Sequence, residues 1–209
     1  LPLSTGTNNV FPVMREATVA GLAAGLVAAG RVALGEVVLR NKRMVVEIDG
    51  RSQDTALVDL CVSRELFIAT RALWRPESLS ELYVSFAEAD AIGLSSIAGL
   101  LRPVPRSADY GLKLTLTAPA GAPVVVEAPI APGLIEPIGV LAIEELKPGE
   151  ATALSTRQGV IALDGEREIE FKQSDRVTVR LERDGPRTID IDKVMACAAK
   201  AGLFVRREG

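Results

Sequence analysis

The chain contains no histidine among its 209 residues, and this absence excludes several kinds of active site. A Ser-His-Asp triad, an HExxH zinc site and a histidine general base all need an imidazole. Any chemistry carried by this chain must therefore use carboxylates, Lys, Arg, hydroxyl groups, backbone amides or a metal ion held by oxygen ligands.

Cysteines and aromatic residues are also scarce. Cys61 and Cys197 are the two cysteines, and they lie far apart in the sequence, without a CxxC motif. We therefore expect a reducing, cytoplasmic location. Aromatic residues make up 4% of the chain and the net charge is −3. Base-stacking platforms and basic patches are thus not expected, and we predict no nucleic-acid partner.

Long hydrophobic runs are missing as well. The uncharged run at 17–30 covers 14 residues, whereas a membrane span needs about 20, so we predict no membrane partner. The segment from Arg15 to Gly30 instead predicts a helix that ends near Gly30. The spacing of Gly21 and Gly25 favours a buried helix that a neighbouring backbone approaches closely.

After Arg31 the sequence becomes a series of short β-branched runs punctuated by Pro and Gly. "VALGEVVLR" and "RMVVEID" read as strands separated by a hairpin-like break at "NK", and "LKLTLTA" alternates strictly. "DIDKVMACAAKAG" predicts a closing helix. We therefore expect a mainly β fold with flanking helices, a β-sandwich or twisted two-sheet fold. Residues 1–30 would form a loop and helix, and 31–209 one compact β-rich unit.

The polar stretch "STGTNN", Ser4 to Asn9, leaves two interpretations open. Gly6 can adopt backbone angles closed to other residues, and a turn of small polar residues exposes N–H groups and oxygens that can hold a phosphate or a ribose. The alternative is a solvated turn in which Asn8 or Asn9 caps the next helix.

"PLSTGTNNVFP" resembles the loop that follows the Gly-Gly-Asp-Gly-Thr motif in the NAD kinase and diacylglycerol kinase superfamily. Together with "REATVAGLAAGLVA", it looks most like the ATP-NAD kinase-like proteins associated with acetoin catabolism, the acetoin catabolism protein X type. "ALGEVVL", "GVIALDGEREIEF" and "GLF" resemble later segments of these kinases, in the same order.

This resemblance implies a fold and an activity. The chain resembles the NAD kinase-like C-terminal β-sandwich lobe, and we expect the N-terminal α/β lobe to be absent from it. The whole protein would bind a nucleotide or dinucleotide, with ATP, NAD and Mg²⁺ as cofactors, and would transfer a phosphoryl group to a hydroxyl. The isolated chain would be inactive, would need the missing N-terminal lobe as its partner, and would form a homo-oligomer.

The resemblance also implies site residues, and no metal ligand is among them. The cofactor-binding residues would be Thr5, Gly6, Thr7, Asn8, Asn9, Glu36, Ser95 and Ser96. The catalytic residues would be Asp164 and Glu166, close to the transferred phosphate. For Asp164-Gly165, an ordinary hairpin turn is the alternative.

Two departures from the kinase pattern keep other functions open. Gly35 stands where NAD kinases carry Asn, and "GLSSIAG" lacks the Tyr of the corresponding kinase motif. A non-catalytic NAD(H)-binding regulatory protein is therefore one alternative, and a lipid-kinase-like lobe is another.

Overall fold

The computed structural model describes residues 1, 15–64 and 76–206. The chain divides into two compact units. Leu1–Asn41 and Pro186–Gly209 form the first unit, and Lys42–Gly185 form the second. The first unit extends to Asn41 because the strand at Val38–Arg40 pairs with the strand at Arg187–Ile189. The expected division into residues 1–30 and 31–209 stays a prediction.

The elements follow one another in this order: α1 (Ala17–Ala28), α2 (Leu34–Val37), β1 (Val38–Arg40), β2 (Arg43–Ile48), β3 (Arg51–Ala56), β4 (Asp59–Ser63), a 3-10 turn (Pro76–Ser78), β5 (Leu79–Val84), α3 (Ser95–Leu101), β6 (Gly111–Thr117), β7 (Val124–Ala131), β8 (Leu134–Leu146), β9 (Ala151–Ala153), β10 (Gly159–Leu163), β11 (Arg167–Phe171), β12 (Val177–Glu182), β13 (Arg187–Ile189) and α4 (Ile191–Lys200). The prediction of a mainly β fold with flanking helices is confirmed. Within the described ranges, no helix is long and apolar enough to cross a membrane.

The first unit packs α1 and α4 together beside the two-stranded β1–β13 ladder. Both predicted terminal helices are present. The Glu16 carboxylate caps α1 by accepting the N–H of Thr18, and Asp190 caps α4 by accepting the N–H of Lys193. Such caps satisfy backbone donors that have no partner inside the helix.

The helix α1 is less buried than its sequence indicates. Its side chains at Ala20 and Ala23 are buried, whereas Val19 and Leu22 are exposed. A Cβ built at Gly21 or at Gly25 meets no described atom within 4 Å. Among the described residues, the expected close backbone approach at these two glycines is therefore not observed.

The predicted hairpin at "NK" is wrong. Residues 34–37 form the helix α2, so only the last three residues of "VALGEVVLR" are a strand, and they pair with β13. The following strand, β2, pairs with β3 and β12 instead. Local β-propensity is overridden here because each strand finds its partner far away in the sequence.

The second unit contains two antiparallel sheets. The seven-stranded sheet has the order β11-β10-β4-β5-β6-β8-β7, and the four-stranded sheet has the order β3-β2-β12-β9. Met44 and Val179 of the smaller sheet and Leu60, Tyr83 and Phe171 of the larger one share a single buried cluster. The two sheets therefore pack face to face, which buries one face of each.

A second cluster covers the opposite face of the larger sheet. Ile97 and Ala98 of α3 pack there against Leu82, Val84 and Leu114. Successive residues of a strand point to opposite faces, so β5 is buried on both sides. The central strands β4 and β5 thus form a rigid support for residues at their ends.

Candidate functional site

The turn between β10 and β11 directs the carboxylate of Asp164 towards β4. Asp164 and Gly165 have φ values of 51° and 71°, a left-handed region that Gly and Asp tolerate better than most residues. The N–H of Asp164 donates to the carbonyl of Asp59 (3.0 Å), and the N–H of Glu166 donates to the carbonyl of Leu163 (3.1 Å). Asp164 therefore lies beside the first residue of β4.

The Asp164 carboxylate is bound by successive backbone amides. The N–H of Leu57 donates to Oδ2 (2.9 Å), and those of Val58 and Asp59 donate to Oδ1 (2.7 and 3.3 Å). Consecutive N–H groups of this kind form a concave anion site, and here the protein's own carboxylate fills it. The side chain is 8% exposed. Asp164 thus fixes the turn that leads into β4.

The carboxyl of Asp59 titrates far from its ordinary range. Burial and the neighbouring negative charge of Asp164 raise the pKa of Asp59 to about 7. The backbone N–H and the hydroxyl of Ser95 hydrogen-bond to this carboxylate and lower its pKa in part. Asp59 therefore changes protonation state near neutral pH, where an ordinary Asp is ionised.

The short helix α3 carries the two predicted serines. Ser95 reaches Asp59, whereas the buried Ser96 hydroxyl donates to the carbonyl of Gly93 (2.6 Å). A Cβ added at Gly99 would lie 2.2 Å from the carbonyl oxygen of Glu88. Close packing thus requires a glycine at position 99, and the hydroxyl of Ser96 is engaged by the carbonyl of Gly93 just before the helix.

The structure brings two predicted residues, Ser95 and Asp164, together around Asp59, an acid that was not among the predicted site residues. Asp59 directly precedes the apolar run of β4, and a charged residue at the start of a buried strand was the available signal. A carboxyl with a pKa near 7 can accept a proton from a hydroxyl and return it at neutral pH. Asp59 is therefore the best-placed acid–base group of this cluster.

The other predicted site residues lie elsewhere. Glu166 is exposed at the end of the β10–β11 turn, and Glu36 is exposed on α2 in the first unit. The loop residues Thr5 to Asn9 lie outside the described residues. The roles assigned to them, and a catalytic role for Asp164, stay predictions.

The expected Mg²⁺ has no evident protein cage in this part of the molecule. Among residues 15–64 and 76–206, no group of three or more His, Cys, Asp or Glu side chains is arranged to hold a metal ion. A Mg²⁺ ion that bridges phosphates keeps several waters and needs only one or two protein carboxylates.

The raised pKa of Asp59 makes stability depend on pH. The native state binds a proton that the unfolded state has already lost, so the free energy of unfolding falls as the pH rises from about 4 to about 7. Asp59→Asn removes this loss. One pKa unit corresponds to about 1.4 kcal/mol. From pH 5 to pH 8, the free energy of unfolding of the variant should therefore rise by at least about 1.4 kcal/mol relative to that of wild type, as measured by urea unfolding.

A matched control is Asp90→Asn, which removes an exposed carboxylate. This variant should keep the pH dependence of the wild-type protein. If Asp59→Asn keeps it as well, Asp59 has an ordinary pKa and the acid–base assignment is lost.

Comparison with known proteins places the second unit in a recognised group. The family model described as "Acetoin catabolism protein X C-terminal domain" matches residues 42–184, and these limits coincide within one residue with those of the second unit. A relative from Cupriavidus necator, "Acetoin catabolism protein X", is 48% identical over 204 residues. The match covers 96% of this chain and 56% of the relative, so the chain spans little more than half of that protein.

Proposed function

The chain belongs to the acetoin catabolism protein X C-terminal domain family, and on this premise we propose that it is the substrate- or dinucleotide-binding lobe of an ATP-NAD kinase-like protein that acts in acetoin catabolism. The whole protein would transfer the terminal phosphoryl group of ATP to a hydroxyl of its acceptor. The name of the relative supports the pathway, and the resemblance of the N-terminal loop to kinase loops supports the reaction.

The observation that carries the proposal is the carboxyl of Asp59, whose pKa is raised to about 7. Phosphoryl transfer requires a group that orients the acceptor hydroxyl and takes its proton. In this proposal the hydroxyl oxygen bonds to phosphorus as the bond to the ADP oxygen breaks, and the hydroxyl proton passes to Asp59. At pH 7 a substantial fraction of this carboxyl is ionised and can accept that proton.

The neighbours of Asp59 have positioning roles. Ser95 hydrogen-bonds to the carboxylate and orients it, and Asp164 raises its pKa and fixes the backbone on which it stands. The Asp164 oxygens already accept backbone N–H groups, so Asp59 is the better candidate for the base. Asp59→Asn in the whole protein should lower turnover about 10²- to 10⁴-fold, the usual contribution of general acid–base catalysis.

The experiment is an incubation of the whole protein with ATP and NAD, followed by detection of ADP and of any phosphorylated product. Formation of both in equal amounts, lost in Asp59→Asn, is the expected result. The control Asp90→Asn should retain activity. Product formation that is unaffected by Asp59→Asn would remove Asp59 from the reaction.

The predicted nucleotide loop gives a separate prediction. Changing Asn8 and Asn9 together to Ala should weaken binding of NAD(H) or ATP to the whole protein by about 1–3 kcal/mol, the cost of leaving hydrogen-bonding groups of the ligand unmatched. Isothermal titration calorimetry measures this loss. An unchanged affinity of the double variant would exclude the loop from the binding site.

A second candidate function is a non-catalytic NAD(H)-binding regulator. The engagement of both Asp164 oxygens by backbone amides favours it, because one of the two predicted catalytic carboxylates is then occupied. Gly35 and the missing Tyr in "GLSSIAG" favour it too. If the whole protein binds NAD(H) but forms no ADP from ATP when NAD is present, the result would support the regulatory function over the kinase function.

A further inference from the structure

A polar cleft of about 420 Å³ opens in the second unit where β4 ends. Two arginines, Arg64 and Arg157, line it together with Thr115, Ser155 and Gln158. Its volume lies within the range of about 300–1,000 Å³ that small-molecule sites occupy. The lining combines cations with hydroxyl and amide donors, which is the chemistry of an anion site.

The floor of the cleft is a buried carboxylate whose charge is already balanced. Glu81 is 1% exposed and accepts the N–H groups of Ser155 (3.0 Å) and Thr156 (2.8 Å) and the hydroxyl of Tyr83 (2.8 Å). The Lys113 ammonium lies 3.4 Å from its second oxygen. The charges of Glu81 and Lys113 therefore cancel. The hydrogen bonds to Glu81 also hold the loop that precedes Arg157 in place.

The two arginines of the cleft carry positive charge that no described residue neutralises. Both residues are exposed, and in the described part of the chain neither guanidinium has an ion pair or a hydrogen bond to another residue. A guanidinium offers a planar fork of donors that matches the oxygens of a phosphate or carboxylate. Two such forks and the nearby hydroxyls suit a doubly charged anion with several oxygens.

We propose that this cleft binds a phosphate monoester. A phosphate group carries up to two negative charges at neutral pH and offers three acceptor oxygens, enough for both arginines and a hydroxyl. The site is separate from the cluster around Asp59. Asp59 begins β4 and Arg64 follows its end, and five residues of strand span about 16 Å. The inference thus goes beyond the proposed function and does not depend on it.

Calorimetric titration of the chain with phenyl phosphate, inorganic phosphate and malonate, at constant ionic strength set by chloride, tests the proposal. Both phosphates should bind, and malonate should bind at least tenfold more weakly. The variant Arg64→Gln/Arg157→Gln should lose at least tenfold in phosphate affinity. Arg51→Gln, which removes another exposed arginine on β3, is the matched control and should bind as wild type does.

Thermal unfolding without ligand shows that the arginine variant is folded. Equal phosphate affinity in wild type and in the Arg64/Arg157 variant would overturn the proposal. Malonate binding as tightly as phosphate would overturn the assignment to a phosphate ester. Asp59→Asn should leave phosphate binding intact, so a failure of the proposed kinase function is distinguishable from a failure of this site.

Discussion

Replacing Lys113 by Met is expected to lower the free energy of unfolding by about 3–5 kcal/mol, the usual cost of removing one partner of a buried ion pair. The side chains of Lys113 and Glu81 are 7% and 1% exposed, and their charged atoms lie 3.4 Å apart. Methionine has a similar length and no charge, so the packing changes little while Glu81 stays ionised and loses its cation.

Urea unfolding at neutral pH measures this loss, and Lys147→Met is the matched control. Lys147 is exposed, and surface substitutions of this kind change stability by less than about 0.5 kcal/mol. An equal effect of the two substitutions would mean that the Glu81–Lys113 pair contributes nothing.

The pKa of Glu81 determines how the stability contributed by this pair changes with pH. Burial acts to raise its pKa, but the N–H groups of Ser155 and Thr156 and the hydroxyls of Tyr83 and Thr156 outweigh burial, so the pKa lies below its ordinary value. A depressed folded-state pKa stabilises the protein above the unfolded pKa, and this stabilisation is lost as the pH falls through the folded value.

Asp164→Asn should destabilise the protein by at least about 2 kcal/mol, because hydrogen bonds to charged groups contribute about 1.5–3 kcal/mol each. Asn tolerates the positive φ of 51°, so the turn itself can persist. The charge that the N–H groups of Leu57, Val58 and Asp59 surround is nevertheless lost. Measurement at pH 5 isolates this effect, because Asp59 is then protonated and no longer repels Asp164.

Glu166→Gln is the control for this prediction, since Glu166 is exposed two residues further along the same turn. Its stability should remain within about 0.5 kcal/mol of wild type. If Asp164→Asn is equally neutral, the carboxylate is not holding the turn that leads into β4.

Patterns within a single element were readable from the sequence. The strict alternation of "LKLTLTA" predicted β6, and acidic and glycine residues at helix ends predicted α4. Asp164-Gly165 was correctly read as a possible hairpin turn. These features depend on neighbours two to four residues away, so the local sequence is enough to indicate them.

Features that depend on distant pairing could not be read in this way. Asp59 and Asp164 meet because β4 pairs with β10, with Leu60 opposite Leu163, and nothing near Asp59 in the sequence indicates that register. The pairing of β1 with β13 and the helical form of Ser95–Leu101 were missed for the same reason. Tertiary packing decides the structure of short apolar runs.

The central claim is that the carboxyl at the start of β4 titrates near neutrality, and its direct test is the pKa of Asp59. The ¹³Cγ resonance of Asp59, assigned by its absence in Asp59→Asn, can be followed by NMR from pH 4 to pH 9. We expect a midpoint of about 7. In Ser95→Ala the midpoint should be higher, because the hydrogen bonds that favour the ionised form are reduced. A midpoint near 4, the value of an unperturbed Asp, would contradict the acid–base role of Asp59 and the function proposed from it.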